Sequence, residues 1–236
     1  AGDTLFLMDG TYTVATNGEF FAGCTGSAFP TGASDGTVGN EITVKAVNER
    51  QALLQGNGNN VVWLHGCDYW VIEGLYATNV DLEMAGFEGS LFVLQDSTHI
   101  TVKKVLAYGP NAWFNSHGIA LYLTHDSLIE DNEIYYAARH GIIVGNGNAP
   151  SSGNTIRRNY IHSRDHADME GGSGSAPGCG TATARGDEGV SCYPCKNNIF
   201  ENNIVEAFDS PYTIQCLQDC GNNQYYGNIT LNCACG

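Results

Sequence analysis

Apolar residues in this chain fall in short runs of three or four, flanked by polar residues, glycine and asparagine, and do not recur at the spacing of a helix face. One six-residue pattern returns along most of the sequence. Its copies are Val44-Lys45-Ala46-Val47, Ile72-Glu73-Gly74-Leu75, Val102-Lys103-Lys104-Val105, Ile129-Glu130-Asp131-Asn132, Ile156-Arg157-Arg158-Asn159, Phe200-Glu201-Asn202-Asn203 and Tyr225-Tyr226-Gly227-Asn228. Their starts are 28, 30, 27, 27, 44 and 25 residues apart. A second apolar run precedes many copies, as in Val61-Val62-Trp63-Leu64, Leu91-Phe92-Val93-Leu94, Ile119-Ala120-Leu121-Tyr122, Ile142-Ile143-Val144 and Tyr212-Thr213-Ile214. Two or three short strands per period of about 27 residues, rich in β-branched side chains and closed by Gly or Asn turns, describe one coil of a parallel solenoid. Alternation within each strand sends Ile, Val and Leu inward.

The fourth position of the last four copies is always asparagine: Asn132, Asn159, Asn203 and Asn228. Asparagine tolerates the left-handed backbone of a sharp turn, and stacked carboxamides can hydrogen-bond to one another, so the column predicts a ladder of identical turns.

Composition narrows the partners. Of 236 residues 15% are charged, and 25 acidic against 10 basic residues leave a net charge of -15, which repels nucleic acid and anionic membrane surfaces. The sequence lacks an apolar run long enough to span a bilayer. Nine cysteines, seven of them after residue 178, point to an oxidising compartment and a secreted, extracellular or cell-surface protein. Cys192-x-x-Cys195 and Cys216-x-x-x-Cys220 read either as disulfides that staple the C-terminal third or as four thiolate ligands for zinc.

The opening Gly2-Asp3-Thr4-Leu5-Phe6-Leu7, followed by Asp9-Gly10-Thr11-Tyr12, and the coil repeat behind it resemble the pectate-lyase-like superfamily. That resemblance implies an all-β, single-stranded right-handed parallel β-helix of about seven to eight coils. It covers residues 1–236 as one domain with a Cys- and Gly-rich loop inserted at about 162–188. The superfamily scaffold carries lyases, hydrolases, epimerases, tailspikes and adhesins, so activity has to be read from a site. A capping helix ahead of the first coil is not seen, and the last coil stops close to its ladder. Either feature is expected of a piece of a longer chain, or of solenoid ends that stack between copies in a non-catalytic extracellular filament or adhesin.

Aligning the coils by the ladder sets His117-Gly118-Ile119 beside His140-Gly141-Ile142, with Glu188-Gly189-Val190 and Ser210-Pro211-Tyr212 in the same column. One residue earlier the column reads Ser116, Arg139, Asp187 and Asp209. This mixed-charge strip is the first candidate site. The inserted loop next to it carries His162, Arg164, Asp165, His166, Asp168, Glu170 and Arg185, and the turn ahead of His117 carries Trp113, placed to stack on a sugar ring. β-Elimination on an acidic polysaccharide needs a base for the C5 proton, a donor for the leaving oxygen and a cation for the carboxylate. Arg139, His140 and His117 are the catalytic candidates. Trp113, Arg164, Arg185 and His166 are the substrate-binding candidates, and Asp165, Asp168, Glu170, Asp187 and Asp209 the ligands for calcium. Arg139-His140-Gly141 resembles the arginine segment of the chondroitinase-B and alginate-lyase family, whose catalytic lysine on a neighbouring coil has Ser116 and His117 in its place here. The polygalacturonase aspartate motifs are absent from the sequence.

Overall fold

The computed structural model describes residues 2–14, 19–20, 23–24, 34–57, 60–79, 90–109, 117–135, 140–145, 149–162, 188–206 and 214–231. Every strand of three to six residues pairs in parallel with its counterpart one coil away. The first sheet stacks eight strands: Thr4–Leu7, Ile42–Ala46, Trp70–Glu73, Thr101–Lys103, Leu128–Glu130, Thr155–Arg157, Ile199–Glu201 and Gln224–Tyr226. The second also stacks eight, from Gly10–Thr13 through Glu133–Tyr135 and Tyr160–His162 to Ile229–Leu231. The third has six: Val62–His65, Phe92–Gln95, His117–Tyr122, His140–Val144, Glu188–Cys192 and Ile214–Cys216. This is the parallel β-helix that the repeat predicts.

In the first sheet the predicted register holds residue for residue. Val44, Ile72, Val102, Ile129, Ile156, Phe200 and Tyr225 are successive Cα partners in the first sheet. Leu54, Ala77, Ala107, Ile134, Ile161 and Val205 do the same in the second. Apart from Tyr225, which is exposed, their side chains, with those of Leu64, Leu94, Leu121 and Val144, close a continuous apolar interior. Each fully buried Leu or Ile contributes roughly 1.5–3 kcal/mol of transfer free energy.

The asparagine ladder is present, with a division of labour that the sequence reading did not anticipate. Left-handed backbone falls on the residue before each rung, at Asp131 (φ 57°), Arg158 (52°), Asn202 (55°) and Gly227 (57°), and likewise at Lys104 (57°) before Val105 in the preceding coil. The rung asparagines themselves lie outside that region, because the left-handed residue turns its own side chain to solvent and swings the next one inward. Asn159 shows what inward placement achieves. Its Oδ1 accepts from the Asn132 main-chain N–H (3.1 Å) and Nδ2 (2.9 Å), while its own Nδ2 donates to Asn203 Oδ1 (2.9 Å) and to the Ile129 carbonyl (3.0 Å). Both lone pairs and both donors of the carboxamide are used, as a buried amide requires.

A second ladder, not foreseen, runs five residues upstream. Ser127, Asn154, Asn198 and Asn223 repeat the geometry: Asn154 Oδ1 accepts from Ser127 N–H (3.0 Å), and Asn154 Nδ2 donates to Asn198 Oδ1 (3.0 Å) and the Thr124 carbonyl (2.9 Å). The two ladders clamp both ends of the three-residue strands of the first sheet. On the outer face of that sheet, charge is neutralised locally. Glu73 sits between Lys45 (2.8 Å) and Lys103 (3.3 Å), and Arg157 between Glu130 (2.8 Å) and Glu201 (3.7 Å).

Candidate functional site

The third sheet carries the site, and three glycines determine how. A Cβ on Gly118 would lie 2.4 Å from Ile134 Cγ2, and one on Gly141 would lie 2.3 Å from Ile161 Cγ2 and 2.6 Å from the Gly189 carbonyl. Only glycine lets this strand approach the second sheet so closely. The pairing skips these glycines: His117 partners His140 and Ile119 partners Ile142, with no Gly118–Gly141 rung between them. In the next coil His140 partners Glu188 and Ile142 partners Val190. Ile119, Ile142 and Val190 join the interior.

His117 and His140 are therefore adjacent and both buried, at 2% exposure. Their Nδ1 atoms are 3.1 Å apart and their ring centroids 4.8 Å. An Nδ1–Nδ1 hydrogen bond requires one nitrogen to carry the proton and the other to accept it, so the two rings cannot both be imidazolium while it persists. The His117 ring also meets Tyr122 edge-on at 6.4 Å.

Farther along the outer face of this sheet the paired column reads Trp63, Val93, Ala120, Ile143, Ser191 and Gln215. Val93, Ala120 and Ile143 form a second, smaller apolar cluster with Trp63 and Tyr122 against it. Ser191 interrupts it. Its Oγ is buried and has no hydrogen-bond partner among the described residues. A cavity of about 350 Å³ opens beside it, lined by His140, Ile143, Ser191, Tyr193, Leu217 and Gln218. A buried hydroxyl and an imidazole on one cavity wall supply a donor-acceptor pair in apolar surroundings, where a polar ligand group would complete the bonding of the Ser191 hydroxyl.

Of the residues singled out from sequence, His117 and His140 are brought together as expected, and Glu188 follows them in backbone register. Arg139, Trp113, Arg164, Arg185, His166, Asp165, Asp168, Glu170, Asp187 and Asp209 lie outside the described residues, as do Ser116 and Ser210. His162, assigned to the inserted loop, ends the strand Tyr160–His162; its Nε2 is 3.0 Å from Glu133 Oε1 and its ring stacks between Tyr135 (4.5 Å) and Tyr160 (4.2 Å). The last coil is a correction: Val190 partners Ile214, where the sequence alignment set Tyr212. Lys103 is in the first sheet and paired to Glu73, away from the histidines. Ser191 escaped the sequence reading. Its one signal is a polar residue in a column otherwise apolar at Val93, Ala120 and Ile143.

Cysteines flank the cavity. Cys24 is bonded to Cys67, Cys192 to Cys195 and Cys216 to Cys220, the last two pairs carrying between them Tyr193, Leu217 and Gln218 of the lining. Among the described residues, the one group of metal-ligating side chains in mutual reach is Cys192, Cys216 and Cys220. The proposed calcium ligands are outside the described residues.

Several solved structures are distantly similar to this chain. The A-module of a mannuronan C-5 epimerase from Azotobacter vinelandii is 12% identical, with a TM-score of 0.47 over 99% of this chain and 69% of that one. A PL6 family polysaccharide lyase from Pseudopedobacter saltans is 14% identical, with a TM-score of 0.48 over 98% of this chain and 56% of that one. An alginate lyase from Paenibacillus sp. is 14% identical, with a TM-score of 0.40 over 98% of this chain and 92% of that one. At such identities and scores the likeness concerns the winding and says nothing of chemistry. No curated protein matches the chain. The model of the right handed beta helix region matches residues 34–230, which is most of the sequence and all but the first coil of the fold described above, so the chain belongs to the right-handed β-helix family.

Proposed function

We propose that this chain is a secreted carbohydrate-active protein that binds an acidic polysaccharide along the outer face of its third sheet and cleaves it by β-elimination beside His140. The observation that carries this reading is the buried Nδ1–Nδ1 contact of His117 and His140 (3.1 Å), whose His140 lines a cavity together with Ser191. A uronate bound there presents its C5–H to one imidazole. That ring takes the proton, the C5 electron pair forms the C4–C5 double bond, and the C4–O bond breaks. The departing oxygen takes a proton from the hydrogen-bonded histidine pair or the Ser191 hydroxyl, so the pair serves as both base and acid. Burial of both rings in an apolar wall keeps water from competing for the same proton.

A polyanion approaching a chain of net charge -15 needs local compensation. In this reading Arg139, Arg164 and Arg185 supply it directly. Calcium held by Asp165, Asp168, Glu170, Asp187 and Asp209 would neutralise the substrate carboxylate, with Trp113 and His166 contacting sugar.

Incubation with alginate, pectate and chondroitin, with calcium and with a chelator, tests the proposal. Ultraviolet absorbance of the unsaturated uronate should rise on one of these substrates, and the rate of that rise should drop on chelation. A flat trace on every polysaccharide removes the lyase reading. Flat traces from a chain whose size grows with concentration would favour a structural, self-assembling role.

A further inference from the structure

We infer that Cys192, Cys195, Cys216 and Cys220, when reduced, form a four-thiolate site for one zinc ion, and that this metal and the two disulfides are alternative occupants of a single centre. The inference stands independently of the polysaccharide reading.

Geometry is the first support. Cys192 and Cys216 are Cα partners in neighbouring strands of the third sheet, so the Cys192–Cys195 turn and the Cys216–Cys220 turn stack directly on consecutive coils. The Sγ atoms of Cys192, Cys216 and Cys220 all lie within 4.8 Å of one another, and Cys195 reaches Cys192. Cys192 Sγ is 3.8 Å from Cys220 Sγ. In a tetrahedral site with Zn–S bonds of about 2.3 Å, the sulfur–sulfur edge is about 3.8 Å. One sulfur from each turn, Cys192 and Cys220, therefore already stands at the separation a shared ion imposes.

The surroundings suit thiolates. Asn223, the last rung of the second asparagine ladder, directs Nδ2 to within 3.6 Å of Cys192 Sγ while donating to the Cys195 carbonyl at 2.9 Å. A fixed N–H aimed at a ligating sulfur is the outer-shell contact that orients and stabilises a metal thiolate. Two short Cys turns from separate segments are also the usual scaffold of structural zinc. Reducing the two disulfides with a phosphine consumes one phosphine and one water per disulfide. It yields four thiols, whose four protons are released as zinc binds.

The site has a structural consequence, because Tyr193, Leu217 and Gln218 line the cavity and sit inside the two turns. Each disulfide closes its own turn, whereas a shared zinc ion would tie the two turns, and with them that wall, to each other.

The test uses the full chain in two forms. Peptide mapping under non-reducing conditions identifies the oxidised form. The other is reduced with a phosphine, given zinc and passed through gel filtration. The reduced chain should retain about one zinc per chain, the oxidised chain none, and zinc should raise the melting temperature of the reduced form only. Cobalt in place of zinc should give the visible bands of tetrahedral thiolate coordination. Cys216→Ser/Cys220→Ser should abolish retention, whereas Cys24→Ser/Cys67→Ser and Cys179→Ser/Cys233→Ser/Cys235→Ser should keep it. The inference is overturned if the reduced chain retains no zinc, whether folded or unfolded. It is overturned equally if Cys216→Ser/Cys220→Ser retains as much as the parent.

Discussion

His117 and His140 occupy equivalent places on consecutive coils and share a hydrogen bond between like atoms, Nδ1 to Nδ1, at 3.1 Å. In that arrangement one Nδ1 carries the proton and the other accepts it, so at most one of the two rings is imidazolium. Removing one histidine therefore also leaves its buried neighbour without its partner. On whichever polysaccharide proves to be a substrate, His140→Ala should lower the initial rate of unsaturated product about 10²–10⁴-fold, the usual contribution of a positioned acid or base. His117→Ala should fall in the same range. His117→Asn, which places an amide near the lost Nδ1, should recover part of the rate. Rates unchanged in both alanine variants, with circular dichroism intact, would take the pair out of the reaction.

The asparagine ladder gives a stability prediction with an internal control. Asn159→Ala strips partners from the main-chain and side-chain N–H groups of Asn132, from the Ile129 carbonyl and from Asn203, all in the interior. Each buried group left unsatisfied destabilises by about 1–3 kcal/mol, so the total should be about 3 kcal/mol or more. Asn228 sits on a partly exposed rung and donates to the Phe200 carbonyl at 2.8 Å, where water can replace part of what is lost. Asn228→Ala should therefore destabilise less. Denaturant unfolding of both variants decides it, and equal losses would mean that burial of the ladder is not what matters.

Much of this architecture was legible in the chain because coil repetition writes the same constraint many times. Val44 to Tyr225 could be registered since each copy repeats an inward apolar residue and a turn, and a one-residue slip would turn the strand inside out. A two-residue slip does not, which is why Tyr212 and Ile214 could not be told apart beside Val190: either leaves the same face inward. The second ladder was missed because its first rung is serine, Ser127, and its asparagines sit among turn residues where asparagine is unremarkable. The left-handed role was given to Asn159 when Arg158 holds it, since asparagine's tolerance of that conformation says where it can occur and not where it must. His117 and His140 announced themselves through two His-Gly-Ile triplets. Ser191 did not, because its meaning depends on three apolar neighbours from other coils.

Gly141 connects packing to chemistry. A methyl group added there would lie 2.3 Å from Ile161 Cγ2 and 2.6 Å from the Gly189 carbonyl, and the second of these is main chain that cannot step aside. Overpacking of this kind typically destabilises by about 1–3 kcal/mol. Because His140 precedes Gly141, relief of the clash would shift the imidazole away from His117. Gly141→Ala should thus lower both the melting temperature and any activity, whereas Gly39→Ala, at an exposed turn with open space around it, would strain its left-handed backbone (φ 75°) and lower stability but should leave activity unchanged. Activity preserved in Gly141→Ala would show that the glycine serves packing alone.

Glu19 supplies a pH dependence whose sign is fixed by its surroundings. It precedes Phe20, which bridges to Val62 beside the first strand of the third sheet, and burial pushes its carboxyl up from 4.5 to about 7. The fold therefore disfavours the ionised form. Below about pH 4.5 the group is protonated in both folded and unfolded chains and has no effect; between there and about pH 7 the unfolded chain ionises first, and stability declines; above that the penalty is constant. Glu19→Gln removes the ionisation. Its melting temperature should match the parent in acid, pull ahead as pH rises through this window and then hold a steady lead. Partial exposure of Glu19 keeps that lead modest. A lead that shrank with rising pH, or one that was the same at every pH, would show that burial of the charged carboxylate is not what Glu19 contributes.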